Sequence, residues 1–353
     1  MEKTVNSKSE ISTPELLPAN QKLDFVCPLC KGSLTTTHSH FHCQPCQRTY
    51  PVVAGIPDFR IFPDPYLDFE EDRARTQIVL DALDQYPLRE LLTYYWSYSD
   101  VTPPLLRAKF VDNAMRGESR GQRLFDLITN DGKKLPTRFI EIGCGTGNLL
   151  ATAARHVKQP VGTDIAMRWL HLSRRRFMDR GMDVPALVCC CAEYLPFKAA
   201  SFDAAVIAST FEFLRSPEEA LLELKRSLDD EGVCLINTVN RYSLAKNPYA
   251  HLWGVGFLPK RWQVAYVRKR RDASFENITL FSYLQLKHTA EKSFDEVDIA
   301  LADISESTLA TLPARTRMLV GVYRTLKSLP VVKQLLKWVS PEWDVFLGRP
   351  KSS

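Results

Sequence analysis

Long hydrophobic runs are absent from this chain of 353 residues, which has no apolar stretch of the roughly 18–20 residues that a membrane-spanning helix needs. Internal repeats, low-complexity tracts and a strong charge imbalance are also absent, since 46 basic residues stand against 41 acidic ones. These absences exclude membrane-spanning helices and repeat architectures, and the net charge gives no support for nucleic-acid binding. An apolar fraction of 45% and a charged fraction of 25% are typical of a globular protein with a substantial core.

A secretory signal is not recognisable either, because the first 21 residues are polar, carry three glutamates and lack a basic-then-apolar layout. We therefore predict a disordered leader over residues 1–22 and a cytoplasmic protein. In a reducing compartment, closely paired cysteines indicate metal binding rather than disulfides.

Four of the nine cysteines form two Cys-x-x-Cys pairs with a twelve-residue spacer, namely Cys27, Cys30, Cys43 and Cys46. Each pair can present two thiolates to one tetrahedral zinc ion. The spacer also holds His38, His40 and His42 as rival ligands, but we expect the four cysteines to bind the zinc. Four cysteine ligands leave no open coordination position, so the predicted zinc is structural and not catalytic.

From Thr137 onward, short apolar runs alternate with amphipathic helical patterns. This order predicts a doubly wound, mostly parallel seven-stranded α/β sheet with helices on both faces. The preceding residues 64–134 are predicted to be helical over 73–83 and 104–128, with an aromatic cluster at residues 94–98 between the two helices. The predicted strands are 138–142, 160–164, 186–190, 202–208, 232–238, 296–302 and 343–347, and the helices among them are 147–156, 168–180 and 217–228.

A glycine-rich turn joins the first predicted strand to the first helix of this sheet, with the sequence Glu-Ile-Gly-Cys-Gly-Thr-Gly over residues 141–147. Glycine is needed where a backbone turns sharply and approaches a ligand closely, and a helix start supplies free N–H groups. Asp164 ends the next strand, where a carboxylate can accept hydrogen bonds from ribose hydroxyls. The Gly-x-Gly-x-Gly spacing differs from the Gly-x-Gly-x-x-Gly of dinucleotide enzymes.

These motifs resemble the class I S-adenosylmethionine-dependent methyltransferases, specifically the type-11 methyltransferase domain related to ubiquinone-pathway enzymes. Further support comes from Cys-Ala-Glu-Tyr-Leu-Pro-Phe at 191–197, Ser-Phe-Asp-Ala-Ala-Val at 201–206 and Asp-Asp-Glu-Gly-Val at 229–233, so the resemblance covers about residues 135–240. It implies that the Gly145 region holds the methionine part of the cofactor, Asp164 the ribose and the Ala192 backbone the adenine edge. The full set of cofactor-binding residues implied is Glu141, Gly143, Cys144, Gly145, Gly147, Asp164, Ile165, Cys191, Ala192 and Glu193.

Two positions depart from the family pattern. Cys191 stands where the family usually has an aspartate, and Glu212-Phe213 stands where many relatives have a Glu-His pair. An imidazole base is therefore missing at that position, although a base is needed only when the acceptor must lose a proton. These departures keep open a non-catalytic scaffold that binds the cofactor.

The segment after the cysteines, residues 48–59, resembles the small zinc-ribbon proteins that partner eukaryotic and archaeal methyltransferases, which implies a stabilising or substrate-presenting module fused to this chain. Because the zinc and cofactor motifs occupy separate stretches of sequence, we expect a metal-free module to unfold without abolishing cofactor binding. The predicted organisation is a leader (1–22), a zinc ribbon (23–62), a helical linker or cap (63–134), a methyltransferase core (135–305) with a substrate insertion at about 241–290, and C-terminal helices with the last strand (306–353).

Residues 241–275 hold eight basic residues, one acid and seven aromatic residues, just after the fifth strand. This pattern fits a lid over a small anionic, glycan-linked or lipid-linked acceptor, a surface for RNA, or a solvated cap. We predict O- or C-methylation of a small or lipid- or glycan-linked acceptor, with an RNA methyltransferase as the alternative, since no RNA-binding module is recognisable. The candidate acceptor-side residues are Glu212, Asn240, Tyr242 and His251.

Two other basic stretches have simpler interpretations. Residues 174–176, three consecutive arginines, are predicted to form an exposed helix face. The amphipathic C-terminal stretch 307–350 is expected to cover the sheet, with peripheral contact to a membrane surface as the alternative. The sequence identifies no protein partner.

Overall fold

The computed structural model describes residues 23–98, 104–129, 135–271, 274–304, 309–310 and 313–350. The predicted leader, residues 1–22, lies outside the described residues. Every helix within the described ranges is too short or too polar to cross a lipid bilayer.

Four short antiparallel strands form the N-terminal module, which holds the two cysteine pairs. Strands β3 and β4 are joined by Ala54 and Gly55, whose φ angles of 46° and 83° fit the tight two-residue hairpin turn that matches strand twist. This turn directs the chain back along β3 and out of the module. The strands are β1 (Thr35–Thr36), β2 (His40–Cys43), β3 (Arg48–Val53) and β4 (Ile56–Pro57).

Four helices follow the module, two more than the two separate helices that the periodicity predicts. Asp68 caps the first of them with a reciprocal hydrogen bond to Glu71, so it begins before residue 73. The predicted helix 104–128 is interrupted at Gly117, where a Cβ atom would collide with the side chain of Asn148. The aromatic cluster at 94–98 lies mostly within a helix and not between helices. These helices are α1 (Phe69–Ala82), α2 (Leu88–Ser97), α3 (Pro104–Arg116) and α4 (Glu118–Thr129).

A seven-stranded sheet forms the centre of the fold, as predicted from the sequence, and its strand order is β7-β6-β5-β8-β9-β11-β10. The first five strands of this order are parallel, and β11 runs antiparallel to both of its neighbours. Strand β9 begins at Leu228 rather than at residue 232, because Leu228 pairs with Phe202 beyond a local register shift. The strands are β5 (Arg138–Ile142), β6 (Gln159–Asp164), β7 (Ala186–Cys189), β8 (Phe202–Ala208), β9 (Leu228–Val239), β10 (Phe294–Leu301) and β11 (Glu342–Pro350).

Helices cover both faces of this sheet, as a doubly wound fold requires. Successive side chains of β5 enter different cores: Ile140 packs in the cluster that contains Leu224 and Leu286, whereas Phe139 packs in the cluster that contains Leu149 and Phe177. The helices of this half are α5 (Asn148–Ala153), α6 (Met167–Asp179), α7 (Pro217–Ser227), α8 (Lys260–Arg271), α9 (Tyr283–Glu291), α10 (Ala314–Lys327) and α11 (Pro330–Val339).

The N-terminal module packs directly on the edge strand β7. The Phe59 amide donates a hydrogen bond of 2.7 Å to the Cys189 carbonyl, and Phe25 lies against Phe197 with 5.9 Å between ring centroids. Cys27 and Phe59 of the module belong to the same hydrophobic cluster as residues of the sheet. The module and the sheet therefore share one continuous core, although their motifs are separate in sequence.

The C-terminal helices cover the sheet less completely than expected. The Trp343 indole donates a 2.9 Å hydrogen bond to the Lys337 carbonyl, and α11 lies beside β10. Yet neither α10 nor α11 contains a buried residue. The expectation of a covering helix is thus met only at the last turn of α11.

A buried group of charged side chains connects the module, α1 and α6. Asp72 is completely buried and accepts hydrogen bonds from Arg60, at 2.6 Å, and from Arg168. Arg60 is also paired with Asp58, and Arg168 with Asp64 at 2.8 Å. Buried charges are tolerated only when they are paired in this way, so each member depends on the others.

Replacing Asp72 should therefore destabilise the whole fold. In Asp72→Ala, two buried guanidinium groups each lose a partner, and the free energy of unfolding should fall by about 3–5 kcal/mol. Urea denaturation measures this change. Glu70→Ala, an exposed carboxylate in the same helical turn, should stay within about 0.5 kcal/mol of the parent. Equal unfolding midpoints for the two variants would contradict the role assigned to Asp72.

Candidate cofactor and acceptor site

Three glycines with positive φ form the turn between β5 and α5. A Cβ atom would collide with Thr210 Oγ1 at Gly143 and with Ser173 Oγ at Gly147, so both positions are closed by neighbouring side chains. At Gly145, with a φ of 50°, a Cβ atom would meet no atom within 4 Å. The middle glycine therefore faces open space at the carboxyl edge of the sheet, where ligands bind in open α/β folds.

Asp164, at the end of β6, lies against this turn. Its Oδ2 atom accepts a 2.9 Å hydrogen bond from the Gly145 amide, and its Oδ1 atom accepts one of 2.9 Å from the Ala166 amide. Burial raises the pKa of this carboxyl to about 6, against the lowering effect of these two amides. The structure thus brings the predicted ribose acceptor and the predicted methionine-binding turn together.

Glu141 and Cys144, two further members of the motif, are both buried. Burial raises the pKa of the Glu141 carboxyl well above its usual range. Its Oε2 atom is buried and has no hydrogen-bond partner among the described residues, which is unusual for a buried polar atom. The Cys144 side chain packs instead in the core cluster with Leu150, which indicates a packing role.

The loop after β7 contains the residues predicted at the adenine edge. Cys191 Sγ accepts a hydrogen bond from the Ile61 amide at 3.4 Å and donates one to the Phe62 carbonyl at 3.6 Å. Glu193 Oε1 accepts hydrogen bonds from the Arg215 and Ser216 amides, at 2.9 and 3.1 Å. At the position where relatives carry an aspartate, the thiol therefore holds the segment that leaves the N-terminal module.

That segment also forms a wall of the site. The Phe62 ring lies 6.1 Å from the Tyr194 ring, and the Arg215 guanidinium sits 4.0 Å from the Phe62 centroid. Behind it, Arg60 donates a hydrogen bond to the carbonyl of Ile165, the residue that follows Asp164. Sequence reasoning missed this wall, because the predicted boundary at residue 62 assigned the segment to the zinc ribbon and the linker.

Glu212, a predicted acceptor-side residue, lies in a 3-10 helix (Phe211–Phe213) after β8. It is buried, and its carboxylate accepts hydrogen bonds from the Tyr249 hydroxyl and, at 3.0 Å, from Thr238 Oγ1. Burial raises the pKa of Glu212 despite these hydrogen bonds. The Tyr66 ring approaches from the other side, 6.3 Å from Phe213.

The other three acceptor-side candidates are not joined to Glu212. Asn240 is used structurally, since its Nδ2 donates to the Trp338 carbonyl at 3.0 Å and its Oδ1 accepts from the Tyr242 amide at 2.9 Å. Tyr242 is half-buried beside Phe257, and His251 is exposed. Tyr249, one of the aromatic residues of the insertion, contacts Glu212 and is not among the predicted candidates.

The predicted exposed face at residues 174–176 is wrong for Arg176. That side chain is buried, and its Nε atom donates a 2.5 Å hydrogen bond to the Thr146 carbonyl of the glycine turn. Arg174 likewise donates to the Ala54 carbonyl at 2.7 Å. The signal was present in the sequence, because Arg176 follows Leu172 by four residues and so lies on the apolar face of α6.

The four cysteines converge in the N-terminal module, and their Sγ atoms all lie within 4.8 Å of one another. Cys27 Sγ lies 3.8 Å from Cys46 Sγ, and Cys30 Sγ lies 3.5 Å from Cys43 Sγ. Thiolates about 2.3 Å from a tetrahedral zinc ion are about 3.8 Å apart, so the arrangement is compatible with zinc. The neighbouring histidines are engaged elsewhere or exposed: His40 and His42 contact Thr37 and Thr49 through Nδ1.

Comparison with known proteins identifies methyltransferases as similar to the part of the chain that forms this site. Residues 140–236 match the family model described as a methyltransferase domain. The malonyl-[acyl-carrier protein] O-methyltransferase of Geobacter sulfurreducens is 31% identical over 32% of this chain and 42% of its own length. The ubiquinone/menaquinone biosynthesis C-methyltransferase UbiE of Bordetella parapertussis is 31% identical over 35% of this chain and 48% of its own length.

The solved structures that are similar to this chain superpose on only part of it. A S-adenosylmethionine-dependent methyltransferase from Thermotoga maritima covers 69% of this chain at 21% identity and a TM-score of 0.41. A Haloferax volcanii methyltransferase complex with the Trm112 activator covers 70% at 13% identity and a TM-score of 0.44. With both TM-scores below 0.5, these overlaps add nothing to the fold described above.

Residues 140–236 therefore match the methyltransferase domain family, which agrees with the family predicted from the glycine turn and its neighbouring motifs. The chain spans less than half the length of the curated relatives it matches. One of those relatives is named an O-methyltransferase and the other a C-methyltransferase, so the family match leaves the acceptor open.

The cysteine cluster should carry one zinc ion per chain, measurable by elemental analysis after mild purification. Cys43→Ser should release the metal, whereas His38→Ala and His42→Ala should retain it. Because the module shares its core with the sheet, the Cys43→Ser variant should also bind S-adenosylmethionine at least about threefold more weakly, which is about 0.7 kcal/mol. An unchanged affinity of Cys43→Ser for S-adenosylmethionine would instead support the expectation that the N-terminal module and the cofactor site are independent.

Cofactor affinity should depend on Asp164. Asp164→Ala removes a charged acceptor, so S-adenosylmethionine should bind about 1.5–3 kcal/mol more weakly in calorimetric titration. The exposed Asp183→Ala serves as the control and should bind normally. Parent affinity should also fall as the pH drops through about 6, because the carboxyl then gains a proton, and Asp164→Asn should lose this dependence. If neither the Asp164→Ala substitution nor the drop in pH changed the affinity for S-adenosylmethionine, Asp164 would not belong to the cofactor site.

Proposed function

We propose that this protein is an S-adenosylmethionine-dependent methyltransferase acting on an oxygen or carbon of a small or lipid- or glycan-linked molecule. The observation that carries the proposal is the open space at Gly145, bounded by Asp164 at the carboxyl edge of the sheet. A Cβ atom would collide with a neighbouring side chain at Gly143 and at Gly147, yet at Gly145 it would meet no protein atom within 4 Å.

The chain's own residues bind and orient the cofactor in this proposal. Gly145 allows the methionine part to approach the backbone, Asp164 accepts hydrogen bonds from the ribose hydroxyls, and the loop at Ala192 contacts the adenine. Glu141 offers its unpaired Oε2 atom to a donor on the ligand. The cofactor supplies an already activated methyl group, so alignment of donor and acceptor provides much of the rate enhancement.

Glu212 and Tyr249 supply the acceptor side. A hydroxyl or acidic C–H acceptor must lose a proton as the methyl group arrives, and a buried carboxylate with a raised pKa is suited to take it. The Tyr249 hydroxyl and Thr238 hold that carboxylate in one orientation. Many relatives have a histidine at the position of Phe213, and in this chain Glu212 serves as the base in place of that imidazole.

The basic and aromatic insertion selects the acceptor through its inner face. Tyr249 and Phe213 pack together with ring centroids 5.0 Å apart, beside Glu212. The four basic residues at 268–271 lie exposed at the last turn of α8, away from these contacts. Aromatic side chains around one buried carboxylate favour a small or lipid-like acceptor over a phosphate backbone, whose recognition depends on basic side chains.

The decisive variants are Glu212→Gln and Tyr249→Phe. Loss of a general base should lower kcat by about 10²- to 10⁴-fold for Glu212→Gln, while affinity for S-adenosylmethionine stays within about threefold. The parent should lose activity as the pH falls through the raised pKa of Glu212, and Glu212→Gln should lose this limb of the profile. The exposed Glu219→Gln should behave like the parent.

Mass spectrometry of cell extract incubated with labelled cofactor provides the assay and identifies the methylated product. A parent protein that binds S-adenosylmethionine and forms no methylated product would show the non-catalytic scaffold to be correct. Products confined to RNA would instead show the acceptor class proposed here to be wrong.

A further inference from the structure

The C-terminal helices α10 and α11 form a hairpin with an uncovered apolar stripe. Apolar residues recur at helical spacing on both helices, at positions 318, 322 and 326 and at 331, 335 and 338. Val331 is 75% exposed and Leu335 is 65% exposed, values unusual for such side chains in a row. The exposed apolar residues of the hairpin are Met318, Leu319, Val322, Leu326, Leu329, Val331, Leu335 and Trp338.

The hairpin is also one-sided in charge. Its two helices contain six basic residues and no acidic residue, namely Arg315, Arg317, Arg324, Lys327, Lys333 and Lys337. Asp303 pairs with Arg324 and Lys327, and Asp298 lies 3.7 Å from Lys337. Even with these two acidic partners included, the hairpin carries a net charge of +4.

This surface borders the acceptor side of the sheet. The Leu244 amide donates a 3.1 Å hydrogen bond to the Val339 carbonyl, and Asn240 bonds to the Trp338 carbonyl. Both contacts lie just beyond the carboxyl end of β9, the strand whose Thr238 bonds to Glu212. Leu244, itself largely exposed, extends the apolar surface toward the insertion.

We propose that the α10–α11 hairpin docks on an anionic lipid bilayer, with its apolar stripe in the interface and its basic residues at the head groups. A basic helix with a large exposed apolar face is suited to this position, and each basic side chain near an anionic surface adds to the attraction. A second copy of this chain would bring one positive face against another. An RNA would match the charge and leave the apolar stripe in water.

Docking places the acceptor side next to the bilayer, so the acceptor is delivered from the membrane as a lipid or lipid-linked molecule. This last step rests on the proposed function, whereas docking itself does not. The two are separable, because vesicle binding needs no cofactor and methyl transfer can be assayed in detergent extract.

The test is co-sedimentation of the full chain with vesicles of phosphatidylcholine alone and of phosphatidylcholine with roughly one third phosphatidylglycerol. We expect binding to the anionic vesicles that is at least about tenfold stronger than to neutral ones and that weakens with salt. Val331→Glu combined with Leu335→Glu should reduce it at least about tenfold, because two apolar anchors leave the interface. Leu222→Glu, a 52% exposed position on α7, is the matched control and should bind like the parent.

Three results would overturn the proposal: no binding to anionic vesicles, equal loss in Leu222→Glu, or tighter binding to poly(U) RNA than to the vesicles. A vesicle-free dimer that the double variant dissociates would make the stripe an interface between copies. Calorimetric titration with S-adenosylmethionine should give parent affinity for the double variant, which shows that it is folded. If the parent docks and forms no methylated product, the proposed function fails and the docking stands.

Discussion

The pairing of Arg60 and Arg168 with one fully buried carboxylate, Asp72, is the interaction on which the rest of the structure depends. Desolvating two guanidinium groups is costly unless each has a partner, so the three elements that carry these residues must assemble together. Arg60 comes from the chain leaving the N-terminal module, Asp72 from α1 and Arg168 from α6. Arg60 also reaches the Ile165 carbonyl, so the same pairing sets the position of the segment beside the ribose acid.

The parallel half of the sheet could be predicted from the sequence because its signals are local. Short apolar runs bounded by turn residues indicate the strands, and the Gly-x-Gly-x-Gly turn followed by Asp164 indicates a cofactor edge without knowledge of any long-range contact. Where the prediction failed, the cause was distant in sequence. Helix 104–128 is interrupted because Gly117 must approach Asn148. The spacing of Arg176 from Leu172 is a local signal of its burial, but its partner, the Thr146 carbonyl, lies thirty residues earlier and could not be predicted.

At the predicted acceptor side, too, local sequence signals identify candidates, whereas contacts distant in sequence determine their roles. Glu212 is a candidate because Glu212-Phe213 stands, after the fourth predicted strand, where many relatives have a Glu-His pair. Its partner Tyr249 lies 37 residues away in an insertion with no regular pattern. Asn240 also follows a predicted strand, and its amide is consumed in fixing Trp338 and Tyr242. Residue type and position after a strand therefore select candidates, and only the hydrogen-bond partners distinguish a group that faces a ligand from one that holds the backbone.

The N-terminal module covers an edge strand of the sheet that would otherwise be left unpaired. Strand β7 is the edge of the sheet, and its residues Ala186–Cys189 are all buried and apolar, which is a hazard if the edge is left unpaired. The module covers this edge through the bridge between Asp58 and Cys189 and the hydrogen bond from Phe59. The next two residues along the chain from Phe59, Arg60 and Ile61, contact the Ile165 carbonyl and the Cys191 thiol. Metal binding by such a small module would be coupled to its folding. A metal ion at the cysteine cluster would therefore contribute to the order of the predicted cofactor edge through the four consecutive backbone residues 58–61.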